Sequence, residues 1–210
     1  MAKRFKEPIF YPAKGDYYHC ELINANPFVK VKAENGEEIT TQLVGSYNFE
    51  NIAVALCIGK FFGVKSQDAN NAVAGYAPSN MRSQKIEKGT NTIILDAYNA
   101  NPSSMQAAIE NLAAMHKEKK IAIVGDMFEL EDEAQAEHRL LGRLLKAKQF
   151  DAVYLCGKLS RFAKEECASA KYFETKDALV QELKQNQLKD ATILVKASRG
   201  VGLETLLDVL

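Results

Sequence analysis

Four side chains able to hold or orient a ligand crowd the run ILDAYNANPSSM, residues 94–105: Asp96, Tyr98, Asn99 and Asn101. A carboxylate accepts hydrogen bonds, whereas a carboxamide both accepts and donates them. Two later runs offer similar groups. GDMFEL supplies Asp126 and Glu129, and KASRG supplies Lys196, Ser198 and Arg199. Each run follows a short, continuously apolar stretch: TIIL, IAIV and TILV. Such stretches are expected of parallel strands covered on both faces. Ligands of open parallel sheets bind beyond the carboxyl ends of the strands. Acids, amides and bases therefore collect at one edge, where a binding site is expected.

A plainer account is available for some of these residues. Asn101 stands before Pro102, so it can cap a helix, and Ser198 can cap another. Capping does not explain Lys196 and Arg199 ahead of a helical stretch. Each cation there opposes the helix dipole by about 0.3–1 kcal/mol. An anion seated between them and the helix start would reverse that sign. A further pair, Asn48 and Asn51 in GSYNFEN, is three apart and lies at adjacent positions near a helix start. Amide groups suit the edge of an adenine ring. Asn48 also reads as an N-cap.

The elements that must position these residues fall into two parts. Residues 1–45 read as β structure: FVKVKA and EITTQLV alternate, and Asn35-Gly36 is a hairpin signal. Residues 47–62 read as a mostly apolar helix closed by Gly63. A second helix runs from about Gln67 to Ala74, with Ser66 as its N-cap. GYAPSNMRSQ has the composition of a linker, which puts a boundary near Asn80. Beyond it, strands and helices alternate five times, ending in a helix over VGLETLLDVL. The pattern predicts an α/β domain with a doubly wound, mostly parallel, Rossmann-like sheet.

Composition narrows the function. The 210 residues carry 27 Lys plus Arg against 27 Asp plus Glu, which argues against a general nucleic-acid or anionic-membrane surface. No apolar run reaches the roughly 18 residues of a membrane span, and MAKRFKEPIF lacks the apolar core of a signal peptide. The four cysteines form no CxxC pair and read as buried free thiols; the three histidines are scattered, so no zinc cluster and no metal site is expected. GxGxxG, GxxxxGK[ST] and GxSxG are all absent.

Taken in order, LVGSYNFENIAVALCIG, NMRSQ, ILDAYNANPSSMQAAI, GDMFEL followed by His138, and KASRG resemble the Mur ligases. Within them the resemblance is to the branch that joins D-alanyl-D-alanine to UDP-N-acetylmuramoyl-tripeptide, and DAYNANPSSM carries most of it. The resemblance implies that residues 1–80 are the tail of a central ATP-binding domain and residues 81–210 a C-terminal domain. The P-loop and magnesium-holding parts would then lie outside this sequence, leaving the chain inactive alone. It implies a monomeric enzyme of the bacterial cytoplasm, in peptidoglycan synthesis, using ATP and Mg2+. The tripeptide carboxylate becomes an acyl phosphate, which the dipeptide amine attacks. Such chemistry calls for positioning and charge neutralisation rather than a protein nucleophile.

Carried over by motif, Asn48 and Asn51 lie beside the adenine, Arg82 reaches the ribose-phosphate part, and an unpaired Asp96 meets the ribose hydroxyls. Asn99 and Asn101 orient the reacting ends, with Tyr98 close by. Asp126 or Glu129 takes the incoming ammonium, and Lys196, Ser198 and Arg199 hold a carboxylate or phosphate. Ala197 and Glu131 stand where the family pattern has glycine. Two other readings compete: a stand-alone nucleotide- or dipeptide-binding module, and a receiver-like module phosphorylated at Asp126.

Overall fold

The computed structural model describes residues 7–116 and 119–210. It divides into two compact units, one ending at Ala77 and the other running from Pro78 to Leu210.

The first unit is a three-stranded antiparallel sheet, β1 (Glu21–Asn24), β2 (Phe28–Lys32) and β3 (Glu38–Val44), in that order. Asn35 and Gly36 close the β2–β3 hairpin: Gly36 has φ +84°, and the Asn35 side chain accepts from the Glu37 N–H at 3.1 Å. Val29, Val31 and Ile39 pack on Ile52, Ala53, Leu56 and Cys57 of helix α1 (Phe49–Phe61). The helix ends with Gly63 at φ +75°, whose N–H bonds Lys60 O while that of Val64 bonds Gly59 O. That double bond satisfies the last carbonyls. Helix α2 (Ser66–Gly75) follows. Two expectations change here. Residues 7–20 contain no strand, and residues 1–6 lie outside the described part. Ser66 is the first helical residue; Lys65 holds the cap position, with no side-chain cap bond.

The second unit is built on a six-stranded sheet in the order β4-β5-β9-β6-β7-β8. The strands are β4 (Gln84–Lys88), β5 (Asn91–Asp96), β6 (Lys120–Gly125), β7 (Ala152–Cys156), β8 (Lys171–Phe173) and β9 (Thr192–Lys196). All neighbours pair in parallel except β4 with β5. The expected doubly wound sheet is therefore present, with helices α3 (Pro102–Ala114), α4 (Ala134–Lys148), α5 (Ser160–Glu166) and α6 (Lys176–Gln185) between its strands. Its core joins Ile93, Leu95, Ile121, Ile123, Ile193 and Val195 to Leu179 and Leu183 of α6. The final strand, β9, inserts between β5 and β6, so residues 100 apart in sequence become register partners.

β4 was not expected. QKIEK has one apolar residue, because an antiparallel edge strand need bury little. The final helix was expected to be α-helical but is two short 3-10 segments, Arg199–Val201 and Leu203–Asp208, broken at Gly202 (φ +74°). All four cysteines are free and buried. Among the described residues no helix is long and apolar enough to cross a membrane.

Candidate functional site

The carboxyl edge of the sheet brings the strand-end residues of β5, β9 and β6 side by side, but in different states. Asp96 ends β5 and is the register partner of Lys196, which ends β9. Lys196 Nζ donates to Asp96 Oδ2 at 2.6 Å and to Asn99 O at 3.2 Å. The Lys196 side chain is 1% exposed and that of Asp96 14%. Asp96 Oδ1 accepts from the Ser83 N–H at 3.1 Å. Asp96 is thus a paired carboxylate, not the unpaired one expected. It retains lone pairs and some exposure. Lys196 is a buried partner of Asp96 rather than a surface cation open to a ligand. The dipole argument for Lys196 and Arg199 also lapses, because only short 3-10 turns follow them.

The same sheet edge carries an exposed group. The Arg82 guanidinium carbon lies 4.1 Å from the centre of the Tyr98 ring, and that of Arg199 5.5 Å from it. Both arginines are exposed and Tyr98 is half-buried. Guanidinium groups are attracted to aromatic faces, so one ring steadies two cations and leaves their N–H donors to solvent. The sequence named all three residues but not their convergence.

Asp126 is different. It is buried at 4% exposure, and its carboxylate accepts from Leu159 N–H (3.1 Å), Ser160 N–H (2.7 Å) and Ser160 Oγ (2.7 Å). Those donors open α5. The expected role in holding an ammonium, and equally a phosphoacceptor role, conflicts with this burial and with the three donors already in place. Gly157, at φ +117°, is needed here: a Cβ on it would lie 2.4 Å from the Asp126 carboxyl carbon. Burial and the Asp126 charge push the Cys156 thiol up to about 12. The signal for this clamp was a glycine after β7 followed by a serine at the next helix start, which capping logic alone could have flagged.

Ser198 is a tie rather than a cap. Its hydroxyl accepts from Phe128 N–H at 2.9 Å and donates to Ala100 O at 3.4 Å, with no helix-cap bond. His138, fully buried, accepts from Met127 N–H through Nε2 and donates to Ala134 O through Nδ1. Together they pin the loop after β6, and Glu129 then projects from it, exposed, at φ +63°. Glu131 also has positive φ, +44°, at the position where glycine was expected. Asn101 carries the cap of α3: its Oδ1 takes Ser104 N–H at 2.8 Å, and Ser104 Oγ takes Asn101 N–H in return. Asn99 is exposed, its Oδ1 accepting from Ala100 N–H.

In the first unit, Asn48 is buried and uses both ends of its carboxamide. It donates to Val44 O (2.8 Å) and accepts from Asn51 Nδ2 (3.0 Å), with no cap bond. Asn51 is exposed and keeps its Oδ1 open. Among the described residues no group of three or more His, Cys, Asp or Glu side chains converges as a metal site would require.

The fold and this edge define a doubly wound α/β domain whose polar groups gather where such sheets bind ligands. A family described as "Mur ligase, glutamate ligase domain" matches residues 81–199, and the chain belongs to the Mur ligase family. It is 36% identical over 171 residues to the UDP-N-acetylmuramoyl-tripeptide--D-alanyl-D-alanine ligase of Bacillus subtilis strain 168, covering 77% of this chain and 37% of that protein. The Escherichia coli K12 ligase of the same name is 31% identical over 176 residues, covering 82% of this chain and 39% of its own length. A crystal structure of MurF from Acinetobacter baumannii superposes with a TM-score of 0.81 at 26% identity, over 93% of this chain and 45% of that one. MurF from Thermotoga maritima, in complex with ADP, shares the fold at TM-score 0.80 and 23% identity, over 99% of this chain and 49% of that one. The chain thus spans less than half the length of these relatives.

Proposed function

We propose that this chain contributes its two units to an ATP-dependent ligase that adds D-alanyl-D-alanine to UDP-N-acetylmuramoyl-tripeptide, in bacterial peptidoglycan synthesis. In this reading the first unit is the tail of an ATP-binding domain and the second the C-terminal domain. The observation that carries it is the grouping of Arg82, Tyr98, Arg199 and Asp96 at the sheet edge, inside the residues matched by the family.

The reaction joins two substrates through a third. The tripeptide carboxylate takes the terminal phosphoryl group of ATP, the dipeptide amine attacks the acyl phosphate, and phosphate leaves as the amide forms. Arg82 and Arg199 offer fixed positive charge to phosphate or carboxylate oxygens. Asp96, already oriented by Lys196, accepts from ribose hydroxyls with its remaining lone pairs. Asn51, in the first unit, keeps an open amide oxygen, and Asn99 and Glu129 are the exposed amide and acid left to meet the dipeptide. Asn48, Asn101, Asp126, Lys196 and Ser198 support these groups from within. Among the described residues no acid or histidine cluster would cage magnesium, which the reading places on the rest of the enzyme. Dependence on ATP and a UDP-linked peptide fits an enzyme of the bacterial cytoplasm.

The test is a graft. This chain replaces the matching segment of the B. subtilis ligase, and ATP-dependent product formation is followed with D-alanyl-D-alanine and with single amino acids as acceptors. Product with the dipeptide alone is expected, and none from this chain by itself. A folded graft that joins a single amino acid instead overturns the reading. Submillimolar binding of ATP or dipeptide by this chain in isolation favours a stand-alone binding module.

A further inference from the structure

Lys196 is the largest of the fully buried side chains, and it is charged. Nothing in the proposed chemistry uses it directly. Its neighbours explain what it can do. Its ammonium bonds the Asp96 carboxylate and the Asn99 carbonyl. Each of these leads to one half of the exposed Arg82–Tyr98 contact.

The first route runs through Asp96. Gln84 and Leu95 are the last register pair of the β4–β5 ladder before Ser83 and Asp96. Continuing the ladder would set Ser83 opposite Asp96. Instead Ser83 turns away at φ +49°, and its N–H goes to Asp96 Oδ1. Met81 is also left-handed, at φ +58°. Arg82 therefore sits between two residues in a backbone region that side-chain-bearing residues avoid. That bend needs an anchor, and the Asp96 carboxylate supplies one. The carboxylate is itself held at its other oxygen by Lys196.

The second route runs through Asn99. Its carbonyl is pulled toward the ammonium, which fixes the turn after β5 that carries Tyr98. One buried charge thus constrains the backbone on both sides of the Arg82–Tyr98 contact, which measures 4.1 Å.

We propose that Lys196 is a positioning residue that sets Arg82 against Tyr98 through Asp96, Ser83 and Asn99. It acts without touching the ligand. The effect on ligand binding rests on the reading of Arg82 as a nucleotide contact; the positioning itself does not.

The experiment separates the two. In the isotope-labelled chain, the Arg82 side-chain protons should be shifted upfield by the Tyr98 ring, and the Ser83 amide downfield by the carboxylate. Lys196→Met, and the charge-neutral pair Lys196→Met with Asp96→Asn in case the single variant does not fold, should move the Arg82 signals most of the way to their disordered positions. Ser160→Ala, which removes a buried hydrogen bond elsewhere on the same edge, should leave them in place. Retention of the Arg82 shift in the folded Lys196 variants overturns the proposal, as does its equal loss in Ser160→Ala. The same Lys196 substitution in the grafted ligase should raise the KM for ATP about 2- to 5-fold, the worth of one exposed cation–π contact. Loss of the Arg82 shift with no change in the KM for ATP upholds the positioning and overturns the nucleotide reading.

Discussion

Asp96 ends β5 and Asp126 follows β6 at one sheet edge, yet one stays partly exposed and the other is sealed in. Asp126 is buried and takes three donors from the start of α5, so no ligand reaches what acceptor capacity remains. Asp96 faces one ammonium and one N–H, keeps lone pairs, and remains partly exposed. The difference comes from what the next strand brings. β7 is followed by a helix start, which presents N–H groups. β9 ends in a lysine, which presents a single long-reaching charge. A strand-end acid stays accessible only where its neighbours leave part of it to solvent.

The sharpest way to break this contrast is Asp126→Ala. Three donors to a buried carboxylate lose their acceptor, so the chain should be destabilised by about 4 kcal/mol, read by urea denaturation. Loss below about 1 kcal/mol would make Asp126 as free as Asp96. Lys196→Met should cost about 3 kcal/mol, because it strands a mostly buried carboxylate. Adding Asp96→Asn should recover part of that cost, and a double-mutant cycle measures the coupling. Strict additivity would dissolve the pair. Asn101→Ala, which removes only a helix cap, should cost about 1 kcal/mol.

A smaller effect concerns pH and spans both units. Burial pushes Cys20 up to about 11 and Cys156 up to about 12. An unfolded thiol ionises near about 8.5. Between that pH and about 11 the native state holds protons that the unfolded state has released, so stability should fall as pH rises through this window. A disulfide reagent at pH 8 should label none of the four thiols in the native chain. Rapid native labelling of Cys156 would show that the joint around Asp126 opens.

Much of the scaffold was legible because it depends on local pattern. TIIL, IAIV and TILV announced buried parallel strands, Asn101-Pro102 announced a helix start, and Asn35-Gly36 announced a hairpin. β4 escaped because one apolar residue in five gives no period. The site was legible as a set of residues but not as a set of states. The Asp96–Lys196 pair depends on β9 returning between β5 and β6, a topological fact with no local trace. The sealing of Asp126 depends on a turn 33 residues further along. Asn48 looked like a cap, but its amide donates to the Val44 carbonyl four residues back, at the end of β3, a direction that residue type alone does not reveal.

Ala197 has a consequence for how this sequence can change. Its methyl fills the space that a Cβ on Gly125 would need, 2.9 Å away. The two positions, on neighbouring strand ends, share room for one methyl group. Alanine at 125 is barred while alanine occupies 197. A lineage would have to shorten 197 first, and would then meet the softer limits of Cys156 O at 3.1 Å and Val201 Cγ1 at 3.2 Å. The order of substitution at this edge is therefore set by geometry, and the two sites should vary as a linked pair.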